Sequence, residues 1–133
     1  MRIVSGKYRG KRIQPPKNFP SRPTTDFAKE SLFNILENRL DWDECVVLDL
    51  FAGTGNISAE FLSRGAKQVQ SIDKHPTSIK HMYKVKAELE AENWQINRAD
   101  VFKFLEKTPQ KFNLIFADPP FGIKGVEQLP DLI

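Results

Sequence analysis

Four strand-like runs, each carrying or directly followed by an aspartate near its carboxyl end, constrain the fold of this 133-residue chain more than any other feature. The runs are 46–51, 68–72, 94–99 and 112–117, and their aspartates are Asp49, Asp73, Asp100 and Asp118. Between the runs, apolar residues recur at helical spacing, and strands that alternate with helices form a mostly parallel sheet with right-handed crossovers. Ligands of such sheets bind at the carboxyl ends of the strands. We therefore predict an α/β domain with a ligand site at that edge.

Four helices are predicted around these strands. The first follows Thr25 and Asp26, which can cap and charge its amino end, and its packed face is predicted to comprise Ala28, Leu32, Ile35 and Leu36. The second follows a glycine turn and ends near Gly65. The third opens at Pro76 and its predicted packed face comprises Ile79, Met82, Tyr83, the stem of Lys86, and Leu89. A short fourth helix is predicted over 101–106.

Composition indicates one globular domain, with 40% apolar and 28% charged residues. We expect a cytoplasmic protein with no membrane contact, because no apolar run approaches the roughly 18 residues of a membrane span and no signal-peptide segment opens the chain. Cys45 precedes an apolar run and is predicted to be a buried small residue. His75 and His81 are six positions apart, a poor spacing for helical metal ligands, so both are assigned to the surface and no metal site is expected.

The first 24 residues are predicted to form a basic arm. Seven basic residues precede the first acidic one, Asp26: Arg2, Lys7, Arg9, Lys11, Arg12, Lys17 and Arg22. Interspersed glycines and prolines favour a short hairpin or an extended segment over a helix. The uneven charge favours a polyanion, and we interpret the arm as an RNA contact. The alternative is a solvated, partly ordered tail.

The segment Asp49-Leu50-Phe51-Ala52-Gly53-Thr54-Gly55 is predicted to be a strand followed by a turn that lets a ligand approach the backbone. Two features distinguish it from a dinucleotide site. Ser58 stands where the third glycine would be, and the Asp49 carboxylate would repel a pyrophosphate. A cationic group, such as the ammonium of a methionine moiety, fits better. The alternative is a tight strand-to-helix turn without a ligand.

Asp73 ends the second strand 24 positions after Asp49, where an acidic residue reaches ribose hydroxyls in nucleoside-binding α/β folds. The alternative is a helix N-cap, with Lys74 and His75 in solvent. Asp100 is interpreted as part of an adenine contact, although capping of the short fourth helix explains it equally well.

The segment Asp118-Pro119-Pro120-Phe121 is the most specific motif. Its carboxylate and the carbonyls of its prolines form a cluster of acceptors that suits an amino group. Such acceptors can turn the lone pair of an exocyclic base nitrogen toward a methyl donor and stabilise the developing charge. Phe121 can stack on the flipped base. The alternative is a strand-ending turn with an apolar plug.

Taken together, these segments resemble the RsmD-type 16S ribosomal RNA guanine-N2 methyltransferases, over essentially the whole chain. The motifs that carry the resemblance are the opening Met1 to Gly10, Arg22-Pro23-Thr24-Thr25-Asp26, Glu30 to Asn34, and the Asp118 motif. The resemblance implies a Rossmann-like class I fold that binds S-adenosylmethionine.

The resemblance also implies roles for individual residues. It gives catalysis to Asp118, Pro119, Pro120 and Phe121. It gives cofactor binding to Asp49, Phe51, Ala52, Gly53, Thr54, Gly55, Asp73, Lys74, Asp100 and Val101. It gives RNA contact to Arg2, Lys7, Arg9, Arg12, Arg22 and Thr24. The implied partner is 16S ribosomal RNA or an assembly intermediate of the small subunit.

The Asp-Pro-Pro-Phe motif is shared with DNA adenine and protein-glutamine methyltransferases, so those activities stay open, as does a non-catalytic RNA-binding module. An NAD-dependent oxidoreductase is a more distant alternative. The resemblance assigns 1–24 to the arm and 25–133 to a methyltransferase domain whose last strands are missing. We expect a chain of this length to leave 112–117 at a sheet edge and to self-associate.

Overall fold

The computed structural model describes residues 2–12, 26–107 and 111–118. The described strands are β1 (Val46–Leu50), β2 (Gln68–Asp73), β3 (Trp94–Arg98) and β4 (Leu114–Ala117). The described helices are α1 (Asp26–Leu36), α2 (Asn56–Ser63), α3 (Pro76–Leu89) and α4 (Val101–Lys107), with a 3₁₀ turn at Trp42–Glu44. The predicted alternation of strands and helices is confirmed. Within the described ranges, no helix is long and apolar enough to cross a membrane.

The four described strands form one parallel sheet in the order β3-β2-β1-β4. The register pairs Asp49 of β1 with Ser71 of β2 on one side and with Phe116 of β4 on the other. Among the described strands, β4 therefore lies at an edge, as predicted. Because all four strands run the same way, their carboxyl ends lie along one edge of the sheet, where the predicted acids follow.

Helices cover both faces of the sheet. The larger core cluster joins Val47 and Val69 of the sheet to residues of α1, α2 and α3, and it contains the buried Cys45 as predicted. The smaller cluster joins Leu48, Leu50 and Ile72 to α4. Alternate residues of β1 therefore enter opposite clusters, and the strand is buried on both faces, as a central parallel strand should be.

The predicted packed face of α1 is partly wrong. Ile35 is 59% exposed and Ala28 is exposed, whereas Lys29 and Phe33 are fully buried. The Phe33 ring contacts the Phe61 ring of α2 edge to face, at 4.6 Å between centroids. The helix is thus rotated so that Lys29 points inward, because the Lys29 ammonium group pairs with the buried carboxylate of Glu60 on α2.

On α3, Met82 and Leu89 are buried as predicted, but Tyr83 is 49% exposed and its hydroxyl donates to the Ile96 carbonyl at 3.1 Å. The surface assignment of His81 is wrong, since this side chain is only 7% exposed. Burial, with the nearby Lys84 charge, lowers the pKa of His81. His75 is half-buried.

Residues 2–12 form a hairpin, which is one of the two forms predicted for the arm, and it packs on α2. Arg2 and Arg12 form an antiparallel bridge, and the Ile3 side chain is buried. A Cβ at Gly6 would overlap the backbone carbonyl of Ser63, so the hairpin lies directly against the helix. This packing differs from that of a solvated tail. The rest of the predicted arm, residues 13–24, lies outside the described residues.

Candidate functional site

Three carboxylates of the predicted site come together at the carboxyl edge of the sheet. Asp49 lies in β1, Asp73 ends β2, and Asp118 follows β4. Asp49 is 1% exposed and Asp73 is 6% exposed, whereas Asp118 is exposed to solvent. Burial, together with the charges of Asp73 and Asp118, raises the pKa of Asp49 to about 7, although a hydrogen bond from Ser58 opposes the rise. The site therefore concentrates negative charge and hydrogen-bond acceptors.

Asp73 stabilises the loop that follows β1 by accepting a hydrogen bond from its backbone. One of its carboxylate oxygens accepts the Gly53 amide at 2.9 Å, and the other accepts the His75 amide at 2.9 Å. The Ala52 amide donates to the Ile72 carbonyl at 3.0 Å, which ties the loop to β2 a second time. Each carboxylate oxygen can accept a further hydrogen bond, so this structural role leaves Asp73 able to accept from ribose hydroxyls as well.

Gly55 is required by packing inside the protein. Its φ is +79°, and a Cβ there would lie 2.7 Å from Met82 Cγ and 3.0 Å from the Trp94 ring. Sequence reasoning attributed the glycines to a close ligand approach. For Gly55, the close approach is instead between the loop and the side chains of α3 and β3. Phe51, predicted both to end the strand and to begin the turn, lies in the turn with a left-handed φ of 57°.

Ser58 lies under the loop and donates a hydrogen bond to Asp49. Its Oγ is 2.5 Å from Asp49 Oδ2 and 2.5 Å from Ser71 Oγ. The indole Nε1 of Trp94 donates to Ser71 Oγ at 2.8 Å. Sequence analysis noted Ser58 only as a departure from the glycine pattern, and it missed Ser71 and Trp94. The available signal was Ser58 itself, a polar residue three positions after Gly55 and between the apolar residues Ile57 and Ala59.

Asp100 caps α4. Its Oδ1 accepts the Phe102 amide at 3.0 Å and the Lys103 amide at 3.2 Å, while Val101 is buried. The capping interpretation therefore describes an observed role, and the adenine contact stays a prediction. Lys74 is exposed, and its carbonyl accepts a hydrogen bond from Arg98 Nε at 3.1 Å.

A buried ion cluster, which sequence analysis missed, joins the hairpin to the helix that carries Ser58. Glu60 accepts the Val4 amide at 2.8 Å and the Ser5 amide at 3.2 Å, although its side chain is fully buried. Its charge is balanced by Arg64 Nε at 2.8 Å and Lys29 Nζ at 3.4 Å.

Lys29 extends this cluster toward the loop. It also donates to Asn56 Oδ1 at 2.7 Å, and Asn56 directly follows Gly55. The ion cluster thus connects the base of the hairpin to the start of α2, next to the loop.

The basic residues of the hairpin face solvent. Arg2, Lys7, Arg9 and Arg12 are exposed, and the Lys7 ammonium lies 5.2 Å from the centre of the Tyr8 ring. Five of the predicted site residues lie outside the described residues: Arg22, Thr24, Pro119, Pro120 and Phe121. In the part of the chain that the structure describes, no group of three or more His, Cys, Asp or Glu side chains could hold a metal ion.

A protein-family model described as "Conserved hypothetical protein 95" matches residues 1–133. The chain belongs to this family. Its members include proteins named "Ribosomal RNA small subunit methyltransferase D", and the predicted resemblance to RsmD-type proteins is confirmed. The protein of that name from Escherichia coli K12 is 35% identical over 133 residues, covering 100% of this chain and 66% of its own length. The one from Haemophilus influenzae is 36% identical over 139 residues, covering 100% of this chain and 70% of its own. This family member therefore spans about two thirds of the length of these relatives.

Solved structures show the same fold. The yhhF protein of Escherichia coli is 31% identical and aligns with a TM-score of 0.86, covering 99% of this chain and 70% of that one. A precorrin-6y C5,15-methyltransferase from Geobacter metallireducens aligns with a TM-score of 0.73, covering 90% of this chain and 59% of that one. That protein is 18% identical, so its likeness concerns the fold alone. The family member therefore has the Rossmann-like fold of class I methyltransferases.

Proposed function

We propose that this chain is the cofactor-binding part of a methyltransferase that methylates the N2 amino group of a guanine in 16S ribosomal RNA. The observation that carries the proposal is the convergence of buried Asp49, loop-bracing Asp73 and exposed Asp118 at one edge of the sheet. The names of the relatives from Escherichia coli and Haemophilus influenzae support a ribosomal RNA substrate. Such a substrate would place the protein in the cytoplasm.

The acceptors at this edge fit S-adenosylmethionine better than a dinucleotide. Two buried carboxylates beside the loop would repel a pyrophosphate, whereas S-adenosylmethionine brings an ammonium, a sulfonium and two ribose hydroxyls. In this assignment Asp49 attracts the ammonium and Asp73 accepts from the ribose. Asp100 and Val101 would lie on the adenine side, next to Lys74. The floor of the proposed cofactor site would be the backbone of the loop, which comprises Phe51, Ala52, Gly53, Thr54 and Gly55.

Bound S-adenosylmethionine would supply an electrophilic methyl group. The protein must then make the exocyclic amine a better nucleophile, since its lone pair is delocalised into the base. Asp118 is exposed at the edge of the site, so its carboxylate is accessible to a base and can accept one N–H of the amine. The proposal also includes the carbonyls of Pro119 and Pro120 as further acceptors and the Phe121 ring as a stacking surface for the base. These three residues lie outside the described residues.

The hairpin supplies the proposed RNA contact. Its exposed guanidinium and ammonium groups, those of Arg2, Lys7, Arg9 and Arg12, can pair with phosphates without regard to sequence. Arg22 and Thr24, which lie outside the described residues, are proposed as further RNA contacts. The partner would be 16S ribosomal RNA, either free or in a small-subunit assembly intermediate.

The proposal is tested by replacing Asp118 with alanine. We expect methyl transfer to fall at least a hundredfold, while affinity for S-adenosylmethionine stays within a few fold, because the carboxylate serves the target amine. A radiolabelled methyl-transfer assay on small-subunit RNA and on partly assembled subunits measures this, with DNA and a glutamine-containing peptide as competing substrates. The matched control is Asp43→Ala, an exposed aspartate before β1, which should be fully active. Undiminished transfer by Asp118→Ala would refute the assignment, and transfer to DNA or peptide in preference to RNA would refute the substrate.

A further inference from the structure

Asp49 is the end of a chain of hydrogen bonds that runs through the interior. Trp94, Ser71, Ser58 and Asp49 follow one another at donor–acceptor distances of 2.8, 2.5 and 2.5 Å. All four side chains are buried, with exposures of 0, 0, 0 and 1%. They come from four different elements, since Trp94 belongs to β3, Ser71 to β2, Ser58 to α2 and Asp49 to β1.

The direction of this chain follows from the hydrogens that each group carries. An indole nitrogen can only donate, so Ser71 Oγ accepts from Trp94. A serine hydroxyl has one hydrogen, and that of Ser58 points to Asp49. The bond between the serines must then be donated by Ser71. Every hydrogen in the chain is therefore directed toward Asp49.

We propose that Ser58 is a positioning residue for the cofactor, which together with Ser71 and Trp94 holds the Asp49 carboxylate ionised and oriented toward the ligand's ammonium group. This inference rests on the proposed function, and it adds to the site a buried serine that the glycine-loop pattern does not contain. If Asp49 were protonated on Oδ2, it would donate to Ser58, and Ser58 would donate to Ser71. The Ser71 hydrogen would then lose its acceptor, because Trp94 cannot accept. The chain is complete only when Asp49 Oδ2 carries no proton, and a charged carboxylate is the stronger acceptor of the Ser58 hydrogen.

Other groups around Asp49 act against its charge. Asp73 on β2 and Asp118 after β4 repel it, and burial removes its hydration. The one ionisable residue of α2 is Glu60, which is engaged by Arg64, Lys29 and the hairpin amides. On α2, the Ser58 hydroxyl favours the ionised form, and the Ser58 backbone amide adds a smaller contribution of the same sign. With both, the pKa of Asp49 stands near 7, so the loss of one hydrogen bond would leave the carboxyl mostly neutral at physiological pH.

The first test is a carbon-13 NMR titration of the Asp49 carboxyl group in the ligand-free protein. Ser58→Ala should move its midpoint upward by about one pH unit, the size of one hydrogen bond to a charged group. Ser71→Ala keeps the bond to Asp49 and removes the donor behind it, so a smaller upward shift is expected. The matched control is Ser78→Ala, since Ser78 is a fully buried serine whose hydroxyl has no partner among the described residues. It should leave the midpoint unchanged.

The second test is calorimetric binding of S-adenosylmethionine at several pH values. A one-unit shift predicts that Ser58→Ala weakens binding about fivefold at pH 7 and about twofold at pH 8. The control ligand is 5′-methylthioadenosine, which has the nucleoside but no ammonium, and its affinity should not change. Equal loss for both ligands at every pH would indicate a purely structural serine and overturn the proposal.

The two proposals fail differently. An Asp49 midpoint that is unchanged in both Ser58→Ala and Ser71→Ala overturns the role of the hydrogen-bond chain, whatever the protein binds. If the unsubstituted protein binds neither ligand, the proposed function fails while the NMR titration still decides whether the chain sets the charge of Asp49. Should Ser58→Ala not fold, Ser71→Ala gives the titration on its own, and an unshifted midpoint there overturns the proposal.

Discussion

At the scale of single residues, Gly55 has no room for a side chain. Alanine there would need a left-handed backbone and would drive its Cβ into Met82 and Trp94. We expect Gly55→Ala to lower the free energy of unfolding by about 2–4 kcal/mol, of which about 1 kcal/mol is backbone strain and the rest overpacking. Urea unfolding followed by tryptophan fluorescence measures the change.

Gly10 is the matched control for this substitution. Its φ of +86° is close to that of Gly55, but a Cβ at Gly10 would meet no atom within 4 Å. Gly10→Ala should therefore cost only the backbone strain of about 1 kcal/mol. If both substitutions lowered the free energy of unfolding equally, Met82 and Trp94 would have moved aside without loss of stability.

Asp49 gives a dependence of stability on pH. Its pKa is about 7 in the folded chain and near 3.8 when unfolded, so between pH 4 and 7 the folded state holds a proton that the unfolded state has released. The contribution of Asp49 to stability is therefore largest near pH 4 and is lost as pH rises through 7. Asp49→Asn should remove a fall on the order of 3 kcal/mol across this range. Unfolding measured at pH 5 and pH 7.5 tests this, and parallel slopes in both proteins would contradict it.

The acids of the site were predictable from sequence because parallel strands bring their carboxyl ends to one edge whatever their order. Asp49, Asp73 and Asp118 needed no knowledge of which strands are neighbours. Ser71 differs, because its role depends on the register that places it beside Asp49 and within reach of Trp94. Sequence patterns predict that a strand is buried, but the side-chain bonds between strands depend on pairings that only the folded sheet defines.

At the scale of secondary structure, the hairpin and α2 form one unit through Glu60. We expect Glu60→Gln to lower the free energy of unfolding by about 3–5 kcal/mol, because the substitution removes a fully buried carboxylate charge that pairs with Lys29 and Arg64. Hydrogen exchange at the Val4 and Ser5 amides should accelerate more than exchange in β1, since these amides donate to the replaced carboxylate.

Glu37 supplies the control for Glu60. It pairs with Arg64 at 2.8 Å, but its side chain is 50% exposed. Glu37→Gln should cost at most about 1 kcal/mol and leave exchange in the hairpin unchanged. A large loss of stability in Glu37→Gln would show that the exposed Arg64–Glu37 pair, and not the buried pairs of Glu60, stabilises the hairpin and α2.

The orientation of α1 was not predictable for the same reason. Apolar spacing selects Leu32, Ile35 and Leu36, whereas the structure turns Lys29 and Phe33 inward. A lysine is predicted to lie at the surface unless its carboxylate partner is known. The partner of Lys29 is Glu60, which lies 31 positions later on another helix. The existence of the helix follows from local pattern, but its rotation follows from a long-range ion pair.

At the scale of the whole molecule, the two proposed contact surfaces carry opposite charge. Three carboxylates meet at the edge of the sheet, and the exposed side chains of the hairpin include cations but no carboxylate. Replacing Arg2, Lys7, Arg9 and Arg12 together with glutamine should weaken RNA binding equally for all sequences. The slope of log affinity against log salt should shrink by up to about 3, since each phosphate contact contributes about 0.7–0.9. Filter binding of small-subunit RNA fragments from 50 to 200 mM NaCl measures the slope, and an unchanged slope would place the RNA contact elsewhere.

The partners of the hairpin are distant along the chain, and this sets the order of events during synthesis. Val4 donates to Glu60, 56 positions later, and the Ser63 carbonyl that accepts the Lys7 amide follows still later. At translation rates of about 5–20 residues per second, the first residues wait roughly 3–11 s before their binding surface has been made. During that interval the basic hairpin has no completed α2 to pack against. Docking of the hairpin can therefore follow only after Glu60 and Ser63 have been synthesised.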